Sequence, residues 1–149
     1  MATRLAARRD AARLRADEIV ELIGAVPIFG GCSKRELRGL AAIVEVRELS
    51  AGKTLTHEGE PGREFAVIVD GRVEVRRKGR KLRVLGPGEW LGEIALLTGG
   101  LRTATATTIE PTRVLLIRGG MFRSLLERTP AIAYKVLERV AALVPGHEC

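Results

Sequence analysis

The spacing of apolar residues changes after Val44, and this change constrains the fold more than any other feature of the sequence. Before it, apolar residues recur at helical intervals; after it, they occur in short runs separated by glycine-containing turns. The run Phe65 to Val69 is almost continuously apolar, which is typical of a buried strand. Asp70-Gly71 follows it and is the two-residue signal of a β-hairpin that leads to Val73. Short strands at regular spacing predict an antiparallel β-roll or jelly roll of about eight strands.

Helices are predicted on both sides of this roll. Residues 3–24 are rich in Ala, Arg, Leu and Glu and contain no proline, so they predict a first helix. Ser33 followed by Glu36 has the spacing of a capping box and predicts the start of a second helix. After the strands, residues 121–126 predict a short helix, and Pro130 suits the first position of a last one. The expected class is therefore mainly β with flanking helices (α+β), with N-terminal helices and two C-terminal helices.

The composition excludes several classes of protein. No apolar run is long enough to cross a membrane and the N-terminus has no signal-peptide stretch, so a cytoplasmic protein is expected. Cys32 and Cys149 lie far apart, which implies no disulfide framework. With only His57 and His147, the chain lacks the converging ligands that a catalytic metal in a β-roll needs, and no catalytic triad is indicated. We therefore expect no metal, no cofactor and no enzyme activity.

The formal net charge of +7 comes mainly from two clusters of basic residues. One lies near the N-terminus and contains Arg4, Arg8, Arg9, Arg13 and Arg15. The other, the basic segment 72–83, contains Arg72, Arg76, Arg77, Lys78, Arg80, Lys81 and Arg83. Neither has the interleaved aromatic residues used for single-stranded nucleic acid. A solvated surface is the simpler interpretation, and docking to an acidic partner, a membrane surface or DNA is the alternative.

The candidate site lies in the stretch from Gly88 to Ala106, GEWLGEIALLTGGLRTATA. A glycine turn leads into a short apolar segment that carries Glu93, and a second glycine-rich turn leads to Arg102. Glycines let the backbone approach a ligand, a helix start offers unpaired amide groups, and arginine complements an anion. The carboxylate can accept hydrogen bonds from hydroxyl groups. The pattern predicts a site for a small anion that bears hydroxyls, unless Glu93 is merely a helix-start acid with Arg102 as its surface partner.

These residues resemble the cyclic-nucleotide-binding domain family, over about residues 26–144. The family's phosphate-binding cassette is similar to Gly92-Glu93-Ile94-Ala95-Leu96 followed by Arg102-Thr103-Ala104. Upstream, residues 59–62, Phe65 and Gly71 are similar to the family's pattern of structural glycines, and residues 85–88 to its lead-in to the cassette. The order of these segments and the helical ends make the resemblance specific.

The resemblance implies a role for each residue of the site. Arg102 would pair with an exocyclic phosphate oxygen, and Glu93 would accept from the ribose 2′-hydroxyl. Ala104 would leave room, or offer an amide, near the phosphate. A hydroxyl at Thr103 can reach the 2-amino group of guanine, so cGMP stands beside cAMP as a candidate ligand. The last helix, about 130–144, would act as a lid over the base, with a face formed by Val136, Leu137, Val140 and Val144.

The expected organisation is a basic helical arm (1–25), a cyclic-nucleotide-binding domain (26–144, cassette about 92–104) and a tail (145–149). Too few residues follow the last helix for a helix-turn-helix, so no DNA binding by that route is expected. We expect a stand-alone receptor that passes a ligand-dependent change to an effector partner in trans, with a homodimer left open. The alternatives are a soluble regulatory fragment of a larger channel or transcription factor, or an interaction module that has lost its ligand.

Overall fold

The computed structural model describes residues 15–142 as a β-roll with helices at both ends. The helices are α1 (Ala16–Gly24), a 3-10 turn (Pro27–Phe29), α2 (Lys34–Ala41), α3 (Glu93–Thr98), α4 (Gly119–Arg128) and α5 (Pro130–Ala142). The strands are β1 (Glu45–Leu49), β2 (Thr54–Thr56), β3 (Glu64–Asp70), β4 (Val73–Arg77), β5 (Arg80–Leu85), β6 (Trp90–Leu91), β7 (Thr105–Thr108) and β8 (Thr112–Arg118). The predicted fold class is confirmed.

The eight strands of the described residues form two four-stranded sheets whose neighbours are antiparallel. One sheet has the order β1-β8-β3-β6 and the other β2-β7-β4-β5. The first sheet is covered by the helices on its outer face, and its inner face packs on the second sheet. The candidate site lies on the second sheet and the segment around α3.

Strand β3 is buried on both faces, as its continuous apolar run predicts. Phe65 and Val67 pack with the helices, against a cluster that includes Phe122 of α4. Ala66 and Ile68 point the other way, into the cluster between the two sheets. Because side chains alternate along a strand, a strand with a helix layer on one side and a sheet on the other needs apolar residues at every position.

The predicted hairpin at Asp70-Gly71 is wrong, because this turn joins strands of different sheets. Strand β3 already has β8 and β6 as its neighbours, and β4 pairs with β5 and β7. The turn itself is tight, with Gly71 at φ 98° and its amide donating to the Asp70 carboxylate at 3.0 Å. The hairpin of this region is β4–β5, closed by Lys78 and Gly79, which both have positive φ.

The predicted start of α2 is confirmed, and the first predicted helix is described only in its second half. The Ser33 hydroxyl accepts from the Glu36 amide at 3.1 Å, and the Glu36 carboxylate accepts from the Ser33 amide at 2.8 Å, which completes the capping box. Of the predicted helix 3–24, the structure confirms Ala16–Gly24; Arg15 is extended and precedes the first helical residue, and residues 3–14 lie outside the described residues. The Arg15 side chain pairs with Glu18 in the first turn, where acidic residues are favourable to the helix dipole.

Three predictions fall wholly or partly outside the described residues: most of the basic arm 1–25, the end of the last helix with Val144, and the tail 145–149. Within residues 15–142, no helix combines the length and apolar character that a membrane crossing requires.

Candidate functional site

Helix α3, at the centre of the predicted cassette, is fixed at both ends. Gly92 precedes its first residue and Gly99 follows its last, and these two glycines have φ values of 98° and 71° respectively. At its C-terminal end, the Arg123 guanidinium of α4 donates to the Leu96 carbonyl from Nε (3.1 Å) and Nη2 (2.8 Å). The first-turn amides of a helix have no intrahelical acceptor, and those of α3 have no other acceptor within residues 15–142, so they can meet an anion.

The loop 59–62 holds the backbone of Arg102. The Arg102 amide donates to the Glu60 carbonyl at 2.7 Å, and its own carbonyl accepts from the Gly59 amide at 3.0 Å. Gly62 faces the same arginine, because a Cβ built there would lie 2.6 Å from the Ala95 Cβ and 3.3 Å from the Arg102 Nε. The glycines singled out in the sequence therefore let this loop approach the cassette closely.

The Arg102 side chain is buried, with 9% of its surface exposed, and it spans two elements. Nη2 donates to the Glu64 carbonyl of β3 at 2.6 Å, and Nη1 donates to the Gly92 carbonyl at 3.2 Å. Burial lowers the pKa of the guanidinium, and the charges of Glu64 and Glu93 partly offset this effect. Arginine stays protonated in proteins, so the site holds a poorly hydrated positive charge.

Glu93 is buried to 4% exposure and is not an ion-pair partner of Arg102. Within residues 15–142, its carboxylate accepts no hydrogen bond and lies within 4 Å of no basic nitrogen. The interpretation of Glu93 and Arg102 as a surface pair is therefore wrong, since both are buried and Arg102 donates to carbonyl groups instead. A buried carboxylate without a donor is ready to accept from a ligand hydroxyl.

A cavity that is partly open to solvent lies between α3 and the second sheet. One row of side chains crosses this sheet and lines the cavity: Arg83, Val75, Ala106 and Thr56, each paired with the next across neighbouring strands. Leu85 and Leu91 extend the apolar part of the wall. The cavity thus offers an apolar surface beside the charges of Glu93 and Arg102.

Seven of the eight cassette residues predicted to bind ligand line this cavity: Gly92, Glu93, Ile94, Ala95, Arg102, Thr103 and Ala104. Leu96 instead belongs to the core shared with the helices. Of the predicted lid residues, Val136 is in that core, Val140 packs against it, and Leu137 is 63% exposed. In this conformation these three do not line the cavity, and Val144 lies outside the described residues.

Sequence reasoning missed two arginines that line the cavity, Arg83 and Arg139. Arg83 had a signal: it is two positions from the buried Leu85 on β5, so both side chains share one face of the strand. Arg139 of α5 had none, because it is brought to the cavity by the packing of α5 onto the roll. With Arg102, three arginines and one glutamate line the cavity, which favours an anionic ligand.

The described residues contain no group of three or more His, Cys, Asp or Glu side chains that could hold a metal ion. What the arrangement can do is bind: a buried cation and free helix amides suit an anionic group, the carboxylate suits a hydroxyl, and the apolar wall suits a flat ring.

Comparison with known proteins agrees with this geometry. The family profile of the cyclic nucleotide-binding domain matches residues 46–129. The CRP-like cAMP-activated global transcriptional regulator of Mycobacterium tuberculosis is 29% identical over 126 residues, 81% of this chain and 56% of the regulator. The cyclic nucleotide-gated potassium channel mll3241 of Mesorhizobium japonicum is 31% identical over 113 residues, 76% of this chain and 31% of the channel.

The fold is also that of a solved relative. The crystal structure of Thermus thermophilus catabolite activator protein aligns with a TM-score of 0.70 at 30% identity, over 78% of this chain and 57% of that one. The chain therefore spans less than two thirds of each of these relatives. The profile covers more than half of the chain and the predicted resemblance is confirmed: the chain belongs to the cyclic nucleotide-binding domain family.

Proposed function

We propose that the cavity binds a cyclic nucleotide, with cAMP as the expected ligand and cGMP as the alternative. The observation that carries the proposal is that two buried, oppositely charged side chains, Arg102 and Glu93, face one cavity without pairing with each other. Each is therefore available to a ligand that carries an anion and a hydroxyl close together, as a ribose cyclic phosphate does.

Arg102 is proposed to hold the phosphate. Its guanidinium carries five N–H donors, of which the two hydrogen bonds to the Gly92 and Glu64 carbonyls use one on each Nη. Within residues 15–142, Nε and the remaining N–H positions make no hydrogen bond, and we propose that they donate to phosphate oxygens. The guanidinium is already desolvated and fixed by two hydrogen bonds to the backbone. The Arg102 side chain therefore loses little conformational entropy when the ligand binds.

Glu93 is proposed to accept from the ribose 2′-hydroxyl, with the base lying along the apolar wall. Thr103 is exposed at the rim of the cavity, and its hydroxyl is proposed to reach the 2-amino group if the base is guanine. Ile94, Ala95 and Ala104 are proposed as contacts of the cyclic phosphate and ribose. Leu96 is proposed to support α3 from the core.

The wider role is also a proposal. A receptor that shifts α5 on ligand binding and acts on an effector in trans fits a regulatory family, and we propose this non-enzymatic role, in the cytoplasm, for the chain. The basic arm proposed to meet the effector lies mostly outside the described residues. A homodimer, and a place inside a larger channel or transcription factor, are left as alternatives to the stand-alone receptor.

Titration of the full chain with cAMP, cGMP and adenosine tests the binding proposal. We expect cAMP or cGMP to raise the thermal unfolding temperature and to release heat in a calorimeter, whereas adenosine, which lacks the phosphate, should do neither. A ligand at a hundred times its dissociation constant adds about 2.7 kcal/mol of stability. Absence of any shift with both cyclic nucleotides would refute the proposal and favour the interaction module.

Replacing Glu93 with glutamine tests the ribose contact separately. We expect cAMP affinity to fall about tenfold, because a hydrogen bond to a charged acceptor is replaced by a weaker neutral one. The loss should vanish when 2′-deoxy-cAMP is the ligand, since that ligand has no hydroxyl to donate. Glu127→Gln, an exposed residue on α4, is the control and should leave both affinities unchanged. An equal loss for cAMP and 2′-deoxy-cAMP would contradict the assignment.

A further inference from the structure

The residues at the end of the cassette are not all held equally well. The backbone of Arg102 is fixed by the loop 59–62 on both its amide and its carbonyl, and the Thr105 hydroxyl accepts from the Glu58 amide at 3.0 Å. Thr103, which lies between them, has a weaker hold. Within residues 15–142 its one hydrogen bond runs from the Arg77 Nε to its carbonyl, at 3.1 Å. The position of the Thr103 backbone therefore depends on a side chain of β4.

Arg77 is brought to Thr103 by the pairing of β4 with β7. Arg76 of β4 lies opposite Thr105 of β7, and this is the last pair between the two strands. Arg77 is the next residue of β4, and Thr103 comes two residues before Thr105, so both lie just beyond the paired part of the sheet. The arginine side chain is long enough to span the gap that opens there, and its Nε reaches the Thr103 carbonyl.

The backbone that carries Arg77 is itself braced. The next residue, Lys78, has a φ of 51°, and its amide donates to the Glu58 carboxylate at 2.9 Å. The Glu58 amide donates in turn to the Thr105 hydroxyl, so the tip of the β4–β5 hairpin is tied to the loop after β2 and to the start of β7. Basic residues on a surface are usually only solvated, whereas Arg77 extends from a fixed backbone to a defined acceptor.

Thr103 and Arg77 differ in what they can contact. Thr103 lines the cavity, and its hydroxyl makes no hydrogen bond within residues 15–142, so it can turn to a ligand. Arg77 does not line the cavity. The guanidinium of Arg102 is held by its own bonds to the Gly92 and Glu64 carbonyls and makes no hydrogen bond with Arg77. Loss of the Arg77 contact should therefore displace the Thr103 hydroxyl and leave the phosphate-binding group in place.

We propose that Arg77 is a positioning residue, which holds Thr103 where its hydroxyl can meet a guanine base and so sets the affinity for cGMP relative to cAMP. This role rests on the proposed function, in which the Thr103 hydroxyl reaches the 2-amino group of guanine. Adenine has no such group, so cAMP binding should not depend on Arg77. One cation of the basic segment 72–83 then serves ligand selectivity as well as surface charge.

Replacing Arg77 with methionine tests this role, because methionine keeps the apolar stem and removes the guanidinium. In calorimetry with the full chain, we expect cGMP to bind about three- to tenfold more weakly, which is the contribution of one hydrogen bond, and cAMP to bind as it does to the wild type. Arg77→Lys, which keeps a donor and the charge, should recover part of the cGMP affinity. In a Thr103→Ala chain, which has no hydroxyl at this position, Arg77→Met should leave the cGMP affinity unchanged.

Arg80→Met is the matched control. Arg80 lies opposite Arg77 in the hairpin, is exposed and does not line the cavity, and within residues 15–142 it makes no hydrogen bond to the cassette. Its substitution removes the same charge from the same hairpin and should change neither affinity. It therefore shows whether the basic segment attracts anionic nucleotides by charge alone, an effect that would be equal for cAMP and cGMP.

The other outcomes separate this role from the proposed function. If Arg77→Met changes neither affinity, lowers both equally, or lowers cGMP affinity as much in the Thr103→Ala chain, the role of Arg77 is wrong and the proposed function stands. If the wild type binds cAMP but not cGMP, or if Thr103→Ala leaves cGMP affinity unchanged, the guanine contact and the role of Arg77 are both wrong, while cAMP remains the ligand. If the wild type binds neither nucleotide, the proposed function fails and the role of Arg77 fails with it.

Discussion

Replacing Arg102 with alanine is expected to weaken cAMP binding by at least about tenfold, because a charge-assisted hydrogen bond is worth about 1.5–3 kcal/mol. The loss should be at the upper end of this range, since the guanidinium is buried and already oriented by the Gly92 and Glu64 carbonyls. Isothermal titration calorimetry with cAMP and cGMP measures it.

The same substitution should leave the protein folded but less stable. It removes both hydrogen bonds to backbone carbonyls, at a cost of about 1–3 kcal/mol, while it also relieves the burial of a charge. Urea unfolding followed by circular dichroism measures this cost. The affinity therefore has to be compared at a temperature at which both proteins are folded.

Two further variants test whether cAMP affinity depends on the positive charge alone or on the position and shape of the Arg102 guanidinium. Arg63→Ala removes the same charge from an exposed residue next to Glu64 that does not line the cavity, and it should bind cAMP as the wild type does. Arg102→Lys keeps the charge but cannot span two carbonyls and a phosphate at once, so it should recover only part of the affinity. Unchanged cAMP and cGMP affinity in a folded Arg102→Ala protein would exclude Arg102 as the phosphate ligand.

Features set by neighbouring residues were predictable from the sequence. The capping box of Ser33 and Glu36 depends on three residues of spacing, and the structure confirms both of its hydrogen bonds. The continuous apolar run of β3 predicted burial on both faces, because each face of a strand repeats every two residues. The cassette was found for the same reason, since its glycines, acid and arginine lie in one short stretch.

Features set by the packing of distant elements were not predictable in this way. Asp70-Gly71 has the composition of a hairpin turn and the positive φ that such turns need, yet the strands it joins lie in different sheets. The residues of the turn determine only the local backbone conformation. The neighbours of β3 in its sheet are β8 and β6, which come much later in the sequence. Arg139 is similar: nothing near it in the sequence points to a cavity, which it reaches because Ile132 and Val136 anchor α5 on the core.

Gly92 is the second position at which a small change should have a large effect. Its φ of 98° strains any residue with a side chain, and a Cβ there would lie 2.5 Å from the Arg102 Nη1 and 2.7 Å from the Glu64 carbonyl oxygen. Neither neighbour can move away easily, because the Arg102 guanidinium and the Glu64 carbonyl are hydrogen-bonded to each other and the guanidinium also donates to the Gly92 carbonyl. Gly92→Ala should therefore destabilise the fold, and it should also displace the Arg102 guanidinium that is proposed to bind the phosphate.

Gly52→Ala is the control that separates the two costs of Gly92→Ala, which are backbone strain and overpacking. Gly52 has a similar φ of 84°, but a Cβ there would meet nothing within 4 Å, so alanine carries the backbone strain alone, about 1–2 kcal/mol. Overpacking adds about 1–3 kcal/mol at Gly92, so we expect a loss of about 2–5 kcal/mol in urea unfolding. Only Gly92→Ala should also lose cAMP affinity, because only there does the added methyl group press on Arg102. If the two variants lost the same stability and both bound cAMP as the wild type does, the close approach of Gly92 to Arg102 would have no part in forming the site.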